Sequence, residues 1–190
     1  MPLQIGCTVF NVSKTRILEF AYDCVDKYID RSDYQYMEMD TDSAYIALTG
    51  EFDDLIKPDM KLEYELDKNN WFPRSNSKEN SAYDKRKPGL FKVEFSGSGM
   101  VALCSKSYYV WGDTKNKFSC KGTQHRNNNL TKDIYLNVLN TSERLSVQNR
   151  GFRYFGKSMK TYEQNKVGLT PIYTKGVLFE DGVHIRPIII

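Results

Sequence analysis

Histidine and tryptophan are scarce in this chain, with two of each in 190 residues, and its four cysteines form no C-x-x-C pair. Cys7, Cys24, Cys104 and Cys120 are widely spaced, and none stands beside a histidine at zinc-ligand spacing, which argues against a structural zinc site. Free cysteine behaves as a small hydrophobe, so burial is the expectation for all four. His125 lies in the polar run KGTQHRNNN and His184 near the chain end. Neither shows the carboxylate or cysteine partner that nucleophilic catalysis needs. Long apolar runs are lacking too: no segment approaches the ~18 residues that cross a bilayer, and Met1 does not open a basic segment followed by an apolar core. The expectation is a soluble intracellular protein with no membrane partner, in the nucleus or the cytoplasm.

What is present is a chain with 40% apolar and 13% aromatic residues, enough for one substantial core or two small ones. Its net charge of +3 hides an asymmetry. Residues 1–84 hold 9 Lys or Arg against 17 Asp or Glu, giving −8, and residues 85–190 hold 18 against 7, giving +11. An acidic half beside a basic one suits a protein that binds cations with one part and a polyanion with the other; ordinary solvated faces that happen to segregate give the same count.

Ile5, Val9, Val12, Ile17, Phe20, Ala21, Cys24, Val25 and Tyr28 recur at steps of three and four and predict a long amphipathic helix, with Pro2 in its first turn. After the polar DRSD, Tyr34–Met39 and Ala44–Leu48 read as two strands joined through Asp40, Thr41, Asp42 and Ser43. Two carboxylates therefore stand one residue apart with no cation beside them in sequence. Residues two apart in a strand point the same way, ~6.6 Å apart, so Asp40 and Asp42 can address one site. Like charges so placed repel unless something positive intervenes, and hard carboxylate oxygens suit Mg²⁺ or Mn²⁺. A plain turn accounts for the same tetrapeptide, because Asp, Thr and Ser are ordinary turn residues. An EF-hand loop starting at Glu38 fails, since it wants Gly at 43 and Glu at 49, where Ser43 and Thr49 stand. An aspartic-protease signature wants Gly where Asp42 stands.

The surroundings narrow the choice. MDTDSAYIAL, Met39–Leu48, resembles motif C of the family B DNA polymerases, the palm hairpin whose acidic tip binds the catalytic metals. CSKSYYVWG contains Lys106, Ser107 and Tyr108, similar to that family's K-x-Y motif, and KFSCKGTQHRNNNLT resembles the start of the thumb. From Leu3 onward the chain resembles the last part of a protein-primed polymerase of the viral and Polinton or Maverick transposon group. Motif A (D-x-x-S-L-Y-P) and motif B (K-x-x-x-N-S-x-Y-G) are absent from the sequence, and NSAYD, Asn80–Asp84, lacks the Lys and Gly of motif B and follows motif C.

The resemblance implies an α+β fold: a partial antiparallel palm sheet with a long helix over residues 1–121, then a small thumb over 122–190. It implies template-directed nucleotidyl transfer from a dNTP to a primer 3′-hydroxyl, with primed DNA template, dNTP and a terminal protein primer as partners and Mg²⁺ or Mn²⁺ as cofactor. Asp42 carries over as the principal metal ligand of the catalytic site, and Asp40 as the neighbouring acid that assists metal or primer-end geometry. Lys106 and Tyr108 carry over as primer-strand contacts, and Lys121, Gly122 and Arg126 as the opening of the thumb. The alternative, a catalytically inactive transposon-derived remnant or nucleic-acid-binding fragment, shares these letters.

Further expectations come from the residues alone. Phe91, Val93 and Phe95 alternate with polar residues, and with Met100–Cys104 and Phe118–Cys120 they predict an antiparallel meander on which Lys106 and Tyr108 share a face. Residues 69–89 read as a polar connection and Thr131–Asn140 as a helix. In NRGFRYFGKSMK, Arg150, Arg153, Lys157 and Lys160 are expected along a phosphate backbone, with Phe152, Tyr154 and Phe155 packed into the thumb core.

Overall fold

The computed structural model of the chain describes residues 2–123, 128–172, 176–181 and 184–187. They divide into two compact units, Met1–Ser96 and Gly97–Ile190, each with its own core. The architecture is α+β, with helices and small antiparallel sheets.

In the first unit the expected long helix is present as α1 (Leu3–Glu19), a π-helical stretch (Phe20–Val25) and α2 (Asp26–Tyr28), without a break. Its buried face begins only at Ile17 and runs through Phe20, Ala21, Cys24, Val25 and Tyr28, the three-and-four spacing that keeps side chains on one side. Ile5, Val9 and Val12, expected on the same face, are 56%, 60% and 63% exposed. Arg16 fastens this helix to later chain: Nε donates to the Gly89 carbonyl at 2.8 Å, Nη2 to the Asn70 carbonyl at 2.5 Å, and the guanidinium lies 4.2 Å over the Trp71 ring. Tyr34 of β1 (Tyr34–Asp40), and Tyr64 and Trp71 of α3 (Lys61–Trp71), complete the core with Ile29 and Ile56. Each fully buried large side chain contributes about 1.5–3 kcal/mol. The strand β1 pairs antiparallel with β2 (Ser43–Leu48), as expected.

Residues 69–89 are more ordered than a polar connection. They include the end of α3 and a further helix, α4 (Lys78–Asp84), whose Ser77 cap accepts a hydrogen bond from the Asn80 amide at 3.0 Å. The alternation at 91–95 does not produce a strand. The Phe91 amide donates to the Trp71 carbonyl at 2.7 Å and its ring stacks on Phe20 at 4.2 Å, but Val93 is 82% exposed. An alternating segment without a ladder partner forms no strand.

The second unit opens with the meander β3 (Gly99–Cys104), β4 (Ser107–Trp111) and β5 (Asn116–Ser119), in that order across the sheet. The helix α5 (Lys132–Thr141) matches the expected one within a residue at each end, and the fully buried Tyr135 donates its hydroxyl to the Ser119 carbonyl at 2.7 Å. A long hairpin comes next, β6 (Leu145–Phe155) with β7 (Ser158–Leu169), and then the short pair β8 (Gly176–Leu178) and β9 (Ile185–Pro187). Val101, Leu103 and Tyr109 of the meander share one core with Leu130, Tyr135, Val138, Val147 and Leu169. By packing, then, the meander belongs with α5 and the β6–β7 hairpin, and the compact units divide after Ser96. Among the described residues no helix is long and apolar enough to cross a membrane.

Candidate functional site

The acidic tip is built by a hairpin with a two-residue loop: Asp40 pairs with Ser43, and Thr41 and Asp42 span the turn. Neither loop residue takes a positive φ, so the turn is not the mirror-image type that best matches strand twist. A register shift between Tyr36 and Glu38 accompanies it, and such bulges re-aim the side chains beyond them. Tyr34 and Tyr36 form the apolar base, with rings 5.7 Å apart and edge to face and with hydroxyls buried. Burial foremost, with the charge of Asp26, pushes the Tyr36 hydroxyl up to about 12.

On this base Asp40 ends the strand half-buried and accepts a hydrogen bond from the Thr41 hydroxyl at 3.3 Å, while Asp42 stands exposed. Because Asp42 is a turn residue, strand alternation does not aim it with Asp40. Two residues of chain span at most about 7 Å, which keeps the two residues close without fixing where their carboxylates point. The donor chemistry fits a hard divalent cation in kind. Among the described residues no group of three or more His, Cys, Asp and Glu is arranged to hold a metal ion. Asp40 and Asp42 by themselves would supply only two carboxylates of a coordination sphere.

The second unit carries the basic residues expected as DNA contacts. Lys106 is not on a sheet face beside Tyr108, as expected, but in the β3–β4 turn at φ 65°, a left-handed backbone that residues other than glycine rarely adopt. Tyr108 is half-buried in β4, between Ala102 and Ser119. Ser107 is fully buried, and its Oγ accepts a 3.4 Å hydrogen bond from the Lys121 amide, while the Ser119 hydroxyl donates to the Lys106 carbonyl at 2.9 Å. The K-x-Y stretch and the Lys121–Gly122 turn are thus brought together. Gly122 has φ +66°, and a Cβ there would lie 2.6 Å from Lys166 Nζ. The positive φ favours glycine, whereas the end of the lysine side chain can swing aside. Lys166, on β7, reaches this turn too and was not foreseen. Arg126 and His125 lie outside the described residues.

Arg150 and Arg153 stand on β6. Arg150 Nε donates to Glu163 Oε1 at 2.6 Å, so its charge is partly answered within the hairpin, whereas the Arg153 guanidinium lies 5.0 Å from the Tyr162 ring centroid. The aromatics expected in a core are outside it: Phe152, Tyr154 and Phe155 are 75%, 66% and 66% exposed. Both faces of the hairpin stand clear of the core there.

Of the cysteines, Cys24 and Cys120 are buried as expected, but Cys104 is half-buried and Cys7 exposed on α1. Burial, the largest influence on each, pushes up the thiols of Cys24 and Cys120, Cys24 to about 12, which makes them unreactive structural groups. His184 does have a carboxylate, with Asp181 Oδ2 at 2.5 Å from its Nδ1, and both side chains face solvent. Compared with protein-family models, with curated proteins and with solved structures, the chain matches none.

Proposed function

We propose that this chain is palm and thumb sequence of a DNA-directed DNA polymerase of the protein-primed family B kind, acting on primed DNA template and dNTPs. The observation that carries the reading is the acidic tip Asp40-Thr41-Asp42 on a two-residue hairpin loop. It gains support from a Lys-Ser-Tyr turn whose buried serine is tied to the next basic turn. In such a reaction the primer 3′-hydroxyl attacks the α-phosphorus of the dNTP, a new P–O bond forms, and the bond to pyrophosphate breaks. Asp42 and Asp40 would hold Mg²⁺ or Mn²⁺, which when bound stabilises the attacking and leaving oxygens. Lys106 and Tyr108 contact the primer strand, and Lys121, Lys166 and Arg153 answer its phosphates as positive charges without reading sequence. Two carboxylates do not complete a catalytic site, so a third comes from a motif A segment that this sequence does not contain.

The second reading is a nucleic-acid-binding piece without catalysis, favoured by the second unit, which carries its basic residues on its own core. Primer extension separates the two. The chain is joined in frame behind a polymerase portion bearing motifs A and B and assayed with Mg²⁺ on a labelled primer–template. The expected result is extension that falls by roughly 10³-fold in Asp42→Asn, less in Asp40→Asn, with DNA binding nearly unchanged. Undiminished extension by Asp42→Asn would remove the assignment.

A further inference from the structure

The β6–β7 hairpin ends in an uncovered arm. Its turn, Gly156–Lys157, has φ +56° and +69°, and around it Phe152, Tyr154, Phe155 and Met159 are 75%, 66%, 66% and 64% exposed. The register sets Phe152 opposite Thr161, Arg153 opposite Lys160, Tyr154 opposite Met159 and Phe155 opposite Ser158. Because successive side chains alternate between faces, Phe152, Tyr154 and Met159 share one face, and Arg153, Phe155, Lys160 and Tyr162 the other. On that second face Lys160 Nζ is 5.4 Å from the Phe155 ring centroid and the Arg153 guanidinium 5.0 Å from that of Tyr162. From Gln148 to Lys166 the arm holds five Lys or Arg against one acid, Glu163.

We propose that this arm binds single-stranded nucleic acid, its exposed rings stacking on unpaired bases while Arg153, Lys157 and Lys160 answer the phosphates. Exposed rings interleaved with cations are what a strand with free base faces requires. A duplex hides those faces and would leave Phe152, Tyr154 and Phe155 in water, so cations alone would serve it. A membrane surface calls for rings on one face and cations on the other. Here rings occupy both faces, and the cation pair Arg153 and Lys160 stands among them. The inference goes beyond the polymerase reading, which uses only the arm's charge, and it stands whether or not the chain takes part in catalysis.

The test measures binding of the full chain to fluorescein-labelled oligo(dT), to a blunt duplex of equal length and to vesicles of phosphatidylcholine with phosphatidylglycerol. Replacing Phe152, Tyr154 and Phe155 together by alanine should weaken oligo(dT) binding at least tenfold, since each stacked base is worth about that factor. The same variant should hold duplex binding within about twofold. Tyr154→Trp keeps a ring and the fold, and its indole emission should be quenched by oligo(dT) and not by the duplex. Equal loss on both nucleic acids, no loss on either, an unquenched indole, or arm-dependent binding to vesicles alone would overturn the proposal.

Discussion

Lys106 holds a left-handed backbone at φ 65° where glycine would sit without strain. A non-glycine residue there costs about 1–2 kcal/mol, and strain of this kind collects where the side chain has work to do. Lys106→Gly separates conformation from function. If the lysine serves nucleic acid, the variant unfolds at the same temperature or higher and binds primed DNA less well. If its role is structural, stability falls and binding does not change. The position of Asp40 and Asp42 at a hairpin tip was legible, because turn residues stand between two strand-forming runs and the tip lies where the pattern put it. Lys166 was illegible, because its place beside Gly122 depends on a strand pairing of Lys166 with Val147 that no local pattern announces.

Elements were legible where one face is buried. The helix from Ile17 to Tyr28, the strands β1 and β2, and α5 each turn apolar residues toward a core, so hydrophobic period and structure agree there, whereas the same period at Ile5, Val9 and Val12 meets no core. The helix α3 was missed because Tyr64 and Trp71 face the core while Leu62 and Leu66, at 84% and 86% exposed, do not, which blurs the stripe. The hairpin β6–β7 was missed for the opposite reason: only its base, at Val147 and Leu169, reaches the core, and its outer half, with rings exposed on both faces, has no buried side to report. One connection that composition called loop is held by an ion pair. Asp84 is buried at the end of α4 and accepts hydrogen bonds from Arg74 Nε at 2.7 Å, Nη2 at 2.9 Å and the Arg74 amide at 3.1 Å. The Arg74 side chain foremost, then its amide, holds the Asp84 carboxyl down at about 2. A folded-state value below the unfolded one of about 3.9 stabilises above that pH and is lost as pH falls toward the folded value. Thermal unfolding of wild type and Asp84→Asn should therefore differ by several degrees at neutral pH, and the gap should close as pH drops from about 4 to about 2. A gap that does not vary with pH would contradict the ion-pair account.

Across the whole molecule, charge and packing divide the chain in nearly the same place. The unit Met1–Ser96 holds 13 Lys or Arg against 18 Asp or Glu, giving −5, and the unit Gly97–Ile190 holds 14 against 6, giving +8. Duplex DNA binding should accordingly be weak, indifferent to sequence and steeply weakened by salt. Reversing Arg150 and Arg153 to Glu should lower the salt slope by up to about 2, since each lost phosphate contact removes roughly 0.9. Arg153 should supply the larger share, because Arg150 is already engaged by Glu163. Reversing Lys61 and Lys68 in the acidic unit should leave the slope unchanged. Equal slopes from the two pairs, read by anisotropy across a salt series, would remove the basic unit as the DNA-holding part.

The central claim is that the acidic hairpin tip is a divalent-cation site, and it can be tested on the chain as it stands. Mn²⁺ titrated into the ¹⁵N-labelled protein broadens the amide resonances nearest the bound ion. The account predicts that Thr41, Asp42 and Ser43 broaden first, at high Mn²⁺ concentration because two carboxylates leave much of the sphere to water, and that Mg²⁺ in excess reverses the effect. Asp42→Asn should abolish it and Asp40→Asn should weaken it. Broadening that begins elsewhere, or that persists at the tip in Asp42→Asn, would contradict the claim.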